Sequence, residues 1–158
     1  MDDIRLAALI EAARDQGAHL TTAESCTGGM VSAALTSVPG ASDVFERGFV
    51  TYSNAAKTEL LGVSPETLTR YGAVSEEVAL EMAAGARARA GARIAVSVTG
   101  IAGPGGSEFK PEGRVCFGLA DQRGLHTETV EFGALGRDRV RAAACNHALD
   151  LITRSLGL

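Results

Sequence analysis

The chain has no tryptophan, and aromatic residues make up only 4% of its 158 positions. Proteins that grip single-stranded nucleic acid stack bases on aromatic side chains, so that mode of binding lacks its material. An excess of basic residues is missing as well: 15 Lys and Arg against 19 Asp and Glu leave a net charge of −4. Binding to nucleic-acid phosphates or to an anionic membrane surface draws on clustered positive charge, and neither is expected here. Lysine is nearly absent, with Lys57 and Lys110 the two in the chain. The three cysteines, Cys26, Cys116 and Cys145, are odd in number and show no Cys-x-x-Cys or other metal-ligand spacing. That pattern points to free thiols in a reducing, cytoplasmic compartment and to no bound metal. No stretch approaches the ~20 apolar residues of a membrane span. The opening Met1-Asp2-Asp3 has no basic segment followed by an apolar run, so no signal peptide is expected.

What is present is ordinary globular material, 46% hydrophobic and 22% charged. A domain of this length buries roughly 70% of the surface of its unfolded chain and folds without disulfides. Leu6, Leu9, Ile10 and Ala13 recur at helical spacing and predict a helix over residues 3–16, ending near Gly17. His19 to Ala23 reads as a strand, Phe45 to Tyr52 as a second, and Arg93 to Thr99 as a third, buried one. A helix of small residues stops before Pro39-Gly40, and Asn54 to Leu61 is helical. Ser64-Pro65-Glu66 opens a further helix, and Ser75-Glu76-Glu77 starts an Ala-rich one running to about Ala90. Val115 to Asp121 and Leu125 to Phe132 form a hairpin around Gln122-Arg123-Gly124, and Val140 to Ser155 carries the face of a last helix. Helices and strands alternate first and a hairpin comes late. This predicts a single-domain layered α/β fold with a mixed β-sheet flanked by helices, spanning residues 1–158 without repeat or linker.

Glycine is the surplus residue, 19 in all, and two glycine-containing loops follow predicted strands: Glu24 to Gly29 and Gly100 to Gly106. Ligands of α/β sheets bind at the carboxyl ends of strands. In the first loop, Ser25 and Thr27 precede a helix whose N–H groups are free, and Gly28 and Gly29 admit a ligand close to the backbone. Such an elbow suits a phosphate or a developing oxyanion. The same residues would also serve only to cap the helix and turn the chain. Neither loop has the spacing of a triphosphate- or dinucleotide-binding motif. Ser25 and Cys26 are adjacent candidate nucleophiles, and in an extended elbow they face opposite sides. No local motif attaches His19, His126 or His147 to either. A lysine with a lowered pKa can deprotonate a serine instead. Lys57 follows the strand that ends near Tyr52, and both can face the Ser25 loop, although a solvated surface lysine is the competing reading.

Three runs then carry a resemblance: Thr22-Ala23-Glu24-Ser25-Cys26-Thr27-Gly28-Gly29, Tyr52-Ser53-Asn54-Ala55-Ala56-Lys57, and Val98 to Gly106. They resemble, in order and over nearly the whole chain, the family of the CinA C-terminal domain, which includes stand-alone nicotinamide-nucleotide amidases. The resemblance implies hydrolysis of nicotinamide mononucleotide to nicotinate mononucleotide and ammonia, without cofactor. It places the family's serine on Ser25 and its lysine on Lys57, with Tyr52 and Thr99 as further polar groups of the pocket; Tyr52 is expected to be catalytic, as a relay for the Ser25 proton on its way to Lys57. The backbone of Thr27, Gly28 and Gly29 is then expected to hold the oxyanion. Gly100, Gly103, Gly105, Gly106 and Arg137 are expected to hold the 5′-phosphate. Two departures stand out: the acidic position ahead of Arg137 is lost, and Ser107 to Glu112 is more polar than usual. The expected partner is a small phosphorylated pyridine ribonucleotide, not nucleic acid or membrane, with monomer or homo-oligomer left open. The alternatives are a non-catalytic nucleotide-binding module tied to competence or DNA-damage responses, and an enzyme of the same fold using the Cys26 thiol.

Overall fold

The computed structural model describes residues 1–107 and 109–158. In chain order the elements are α1 (Asp3–Asp15), β1 (Leu20–Glu24), α2 (Met30–Thr36), β2 (Phe45–Val50), α3 (Asn54–Leu61), α4 (Pro65–Tyr71), α5 (Glu76–Ala90), β3 (Ile94–Gly100), β4 (Arg114–Asp121), β5 (Gly124–Glu131) and α6 (Arg137–Ser155). Local chemistry explains most of the boundaries. Asp2, Ser53, Ser64 and Ser75 each accept a backbone N–H of the helix they precede, and Pro65 takes a first-turn position where no donor is needed. Gly62 and Gly91 end α3 and α5 in the left-handed conformation.

The sheet runs β2-β1-β3-β4-β5. β1 pairs in parallel with β2 and β3, while β4 and β5 are added antiparallel as a hairpin. The sheet is therefore mixed, as expected, and two helical layers cover it. Leu20, Val96, Val98, Val115, Phe117 and Leu119 pack into a core with the buried faces of α1, α2 and α6. Ala23, Ala95 and Ala120 point the other way, into a core built with α3 and α5. Because β1 and β3 are covered on both faces they are buried at nearly every position, the polar Thr21, Thr22, Glu24, Ser97 and Thr99 included. At Gly85 a Cβ would collide with the Leu61 carbonyl, so α5 approaches α3 as closely as only glycine allows.

Gly100 departs from the expected loop. It is the last residue of β3 and pairs with Val115, where a Cβ would meet the valine's Cγ2 at 2.7 Å. The strand order also locates the site. The chain leaving β1 turns to β2 on one side, and the chain leaving β2 crosses to β3 on the other. A crevice opens beyond the carboxyl ends of β1 and β3 at such a reversal.

Candidate active site

Ser25 is the first residue beyond β1, held by its N–H on the Val98 carbonyl at 2.9 Å. Strand alternation turns its side chain to the α3 face, where Lys57 of the first turns of α3 meets it: Lys57 Nζ lies 3.0 Å from Ser25 Oγ. Lys57 is 1% exposed and is the largest fully buried side chain among the described residues. Its other partners are the carbonyls of Thr51 at 2.8 Å and Tyr52 at 3.3 Å. No carboxylate pairs with it among the described residues. Burial therefore brings its pKa down from the ordinary 10.5 to about 8, desolvation being the largest cause. The Thr51 and Tyr52 carbonyls only accept and so hold two N–H bonds in either charge state; Lys57 Nζ donates its third to Ser25 Oγ, and loss of that proton leaves a lone pair into which the hydroxyl can donate.

Cys26 sits next along the chain and faces the other core, 5% exposed. Burial, the largest cause, pushes its thiol up to about 11, so it stays protonated and unreactive at neutral pH. No histidine lines the cavity among the described residues. His147 instead contacts Glu128 and packs its ring 4.5 Å from that of Phe117.

The glycine elbow differs from its expected form. The N–H groups that begin α2 are occupied by Glu24, whose buried carboxylate accepts from Gly29 and Val31 at 3.1 Å each and from Ser32 at 2.8 Å. The hydroxyls of Thr27 and Ser32 complete its shell at 2.6 and 2.9 Å. Gly28 N–H goes to the Ser25 carbonyl at 3.0 Å. Gly28 and Gly29 thus serve the turn, at φ 60° and 105°, and their N–H groups are not free for an oxyanion. Cys26 N–H and Thr27 N–H are the ones without an acceptor among the described residues. Glu24 was missed as a functional residue; a carboxylate just ahead of the free N–H groups of a helix start is the signal that could have found it.

A cavity of about 220 Å³ adjoins the Ser25–Lys57 pair, its wall including Asn54, Thr99, Gly100, Ser107 and Arg137. The Thr99 hydroxyl donates to the Ala73 carbonyl at 2.8 Å and so ties β3 to the segment before α5. Tyr52 contributes its carbonyl to Lys57, but its phenol turns outward, 60% exposed, and accepts from Arg137 at 2.8 Å. Arg137 also donates to the Gly103 carbonyl at 2.7 Å and bridges the mouth of the cavity. The Gly105 N–H, expected to hold a phosphate, donates instead to Glu112 at 2.7 Å, and a Cβ at Gly103 would collide with the same carboxylate. Gly106 lies against the Lys110 carbonyl. No cluster of three or more metal-ligating side chains occurs among the described residues.

The family described as the CinA C-terminal domain matches residues 4–156. The nicotinamide-nucleotide amidohydrolase PncC of Escherichia coli K12 is 52% identical over 143 residues, covering 90% of this chain and 87% of that protein. A CinA-like protein of Chlorobium phaeobacteroides is 55% identical over 130 residues, 80% of this chain but 31% of that protein. The chain thus spans about a third of the length of the CinA-like relatives it matches. Among solved structures, the competence/damage inducible protein CihA of Agrobacterium tumefaciens superposes with a TM-score of 0.93 at 45% identity, over 100% of this chain and 98% of that one.

Proposed function

The chain belongs to the CinA C-terminal domain family, and from that premise we propose that it is an amidohydrolase converting nicotinamide mononucleotide to nicotinate mononucleotide and ammonia. The observation that carries this reading is the buried Lys57 amine 3.0 Å from Ser25 Oγ. The name of the E. coli relative, identical at 52% of aligned positions, supplies the substrate. Ser25 Oγ attacks the carboxamide carbon while its proton passes to Lys57 Nζ. The oxyanion is met by the Cys26 and Thr27 N–H groups, each well-placed donor contributing ~3 kcal/mol. The Lys57 ammonium then returns the proton to the leaving nitrogen, and ammonia departs. Lys57 next takes a proton from a water that attacks the nicotinoyl ester, releasing the acid and restoring Ser25.

Neither cofactor nor metal enters this scheme. Arg137, exposed at the mouth, meets the 5′-phosphate, with the Tyr52 phenol holding its guanidinium in place. The glycines at 103, 105 and 106 shape the rim and leave the charge to Arg137. Residues 1–158 form a single amidohydrolase domain in this reading, and three buried free thiols suit a reducing cytoplasm.

Ammonia release from purified protein tests the reading. Binding energy from the phosphoribosyl group should make kcat/KM for nicotinamide mononucleotide at least ~100-fold that for free nicotinamide. Equal values for the two amides would remove the phosphate site. Binding of the nucleotide without ammonia release would make the chain a nucleotide-binding module instead.

A further inference from the structure

Arg141 touches neither Ser25 nor Lys57, and it projects from α6, on the opposite face of the sheet from Lys57. Its guanidinium nonetheless grips the nucleophile loop: Nε donates to the Cys26 carbonyl at 3.1 Å and a terminal nitrogen to the Thr27 carbonyl at 3.2 Å. In a trans peptide the N–H points opposite to the C=O. A Cys26 carbonyl held toward α6 therefore turns the Thr27 N–H away from α6, toward the face that carries Ser25 and Lys57. This N–H has no acceptor among the described residues, whereas those of Gly28 and Gly29 are already bound to Ser25 and Glu24. The loop runs directly into two glycines at positive φ, the residues with the widest backbone freedom. A planar fork on two successive carbonyls supplies the rigidity that this sequence lacks, and a lysine would supply one donor direction at a time.

We propose that Arg141 is a positioning residue for acyl transfer, fixing the Cys26–Thr27 peptide so that the Thr27 N–H faces the oxyanion formed on Ser25. The inference rests on the serine amidohydrolase reading above. Pyridine-3-boronic acid separates the two, because it reads the oxyanion hole without turnover. Its boron accepts the Ser25 oxygen, the hydroxyl proton passes to Lys57, and a tetrahedral anion results.

Affinity for this boronate and ammonia release from nicotinamide mononucleotide would be measured for the wild type, Arg141→Gln and Arg141→Lys. In Arg141→Gln, boronate affinity and kcat should both fall roughly 100-fold, the scale of a misplaced oxyanion donor. KM should stay within about threefold, and the apparent pKa of the rate, set by Lys57, should not move. Arg141→Lys should recover only part of the loss. Boronate affinity that is unchanged in either variant overturns the inference, as does a loss in which KM and the pH profile shift together with kcat, the mark of a general distortion of the site. If Arg141→Gln does not fold, Arg141→Lys carries the same comparison. Wild-type protein that takes up the boronate in an Arg141-dependent way but releases no ammonia upholds this inference and removes the substrate reading alone.

Discussion

A lysine that must accept a proton at neutral pH has to be kept dry, and dryness costs stability. Lys57 titrates near 8 in the folded protein and near 10.5 when unfolded. The folded state thus binds fewer protons between those values, stability rises with pH across that window, and the cost is present in full below about 8. At 1.36 kcal/mol per tenfold, the upper bound is roughly 3 kcal/mol at pH 7. Lys57→Met should accordingly raise the urea midpoint at pH 7, with the advantage shrinking toward pH 10, while turnover falls at least about a thousandfold. A variant no more stable than wild type at pH 7 would place the amine in water. Lys57→Arg should be nearly as inactive, because a guanidinium keeps its proton. The neighbouring pair Ser25 and Cys26 divides the same way: Ser25→Ala should lose about a thousandfold or more, and Cys26→Ala should keep most of the activity. The reverse ranking in steady-state assays would transfer the attack to the thiol.

At the scale of elements, the helices and strands were legible because their signals are local. Asn54, Ser64-Pro65, and Ser75 before Glu76 mark starts that the structure reproduces within a residue. The direction of side chains in the elbow was less legible. Whether the α2 N–H groups meet substrate or the protein's own carboxylate depends on how β1 delivers Glu24 to the helix end, a tertiary fact. Glu24 accepts five hydrogen bonds there and leaves the Cys26 and Thr27 N–H groups as the remaining donors. Glu24→Gln puts an amide NH₂ against backbone N–H groups. It should cost about 2 kcal/mol in denaturant unfolding and lower kcat more than it changes KM. Wild-type kcat in a stable Glu24→Gln protein would show that the elbow keeps its shape without the carboxylate.

Over the whole molecule, the site is the product of one topological reversal. β1 and β3 lie side by side with helices on opposite faces, so their carboxyl ends bring Ser25 and the Gly100 segment together, and α3 drops Lys57 between them. From the sequence, Lys57 and Ser25 are 32 positions apart; strand-end placement lets Lys57 face the Ser25 loop but leaves a solvated lysine as the competing reading, and the family resemblance favours the shared site. The Tyr52 phenol, Gly105 and Glu112 show the limit of that route: the right segments were named, but which atom of each faces the cavity follows from packing. The ionisation of the Ser25–Lys57 pair is the claim on which the mechanism stands, and the pH dependence of kcat/KM for ammonia release from nicotinamide mononucleotide reads it directly. The rate should climb tenfold per pH unit at acid pH and level off with an apparent pKa of about 8. A profile level from pH 6 to 10, or one still rising through the range of an ordinary lysine near 10.4, would contradict a buried neutral amine as the base.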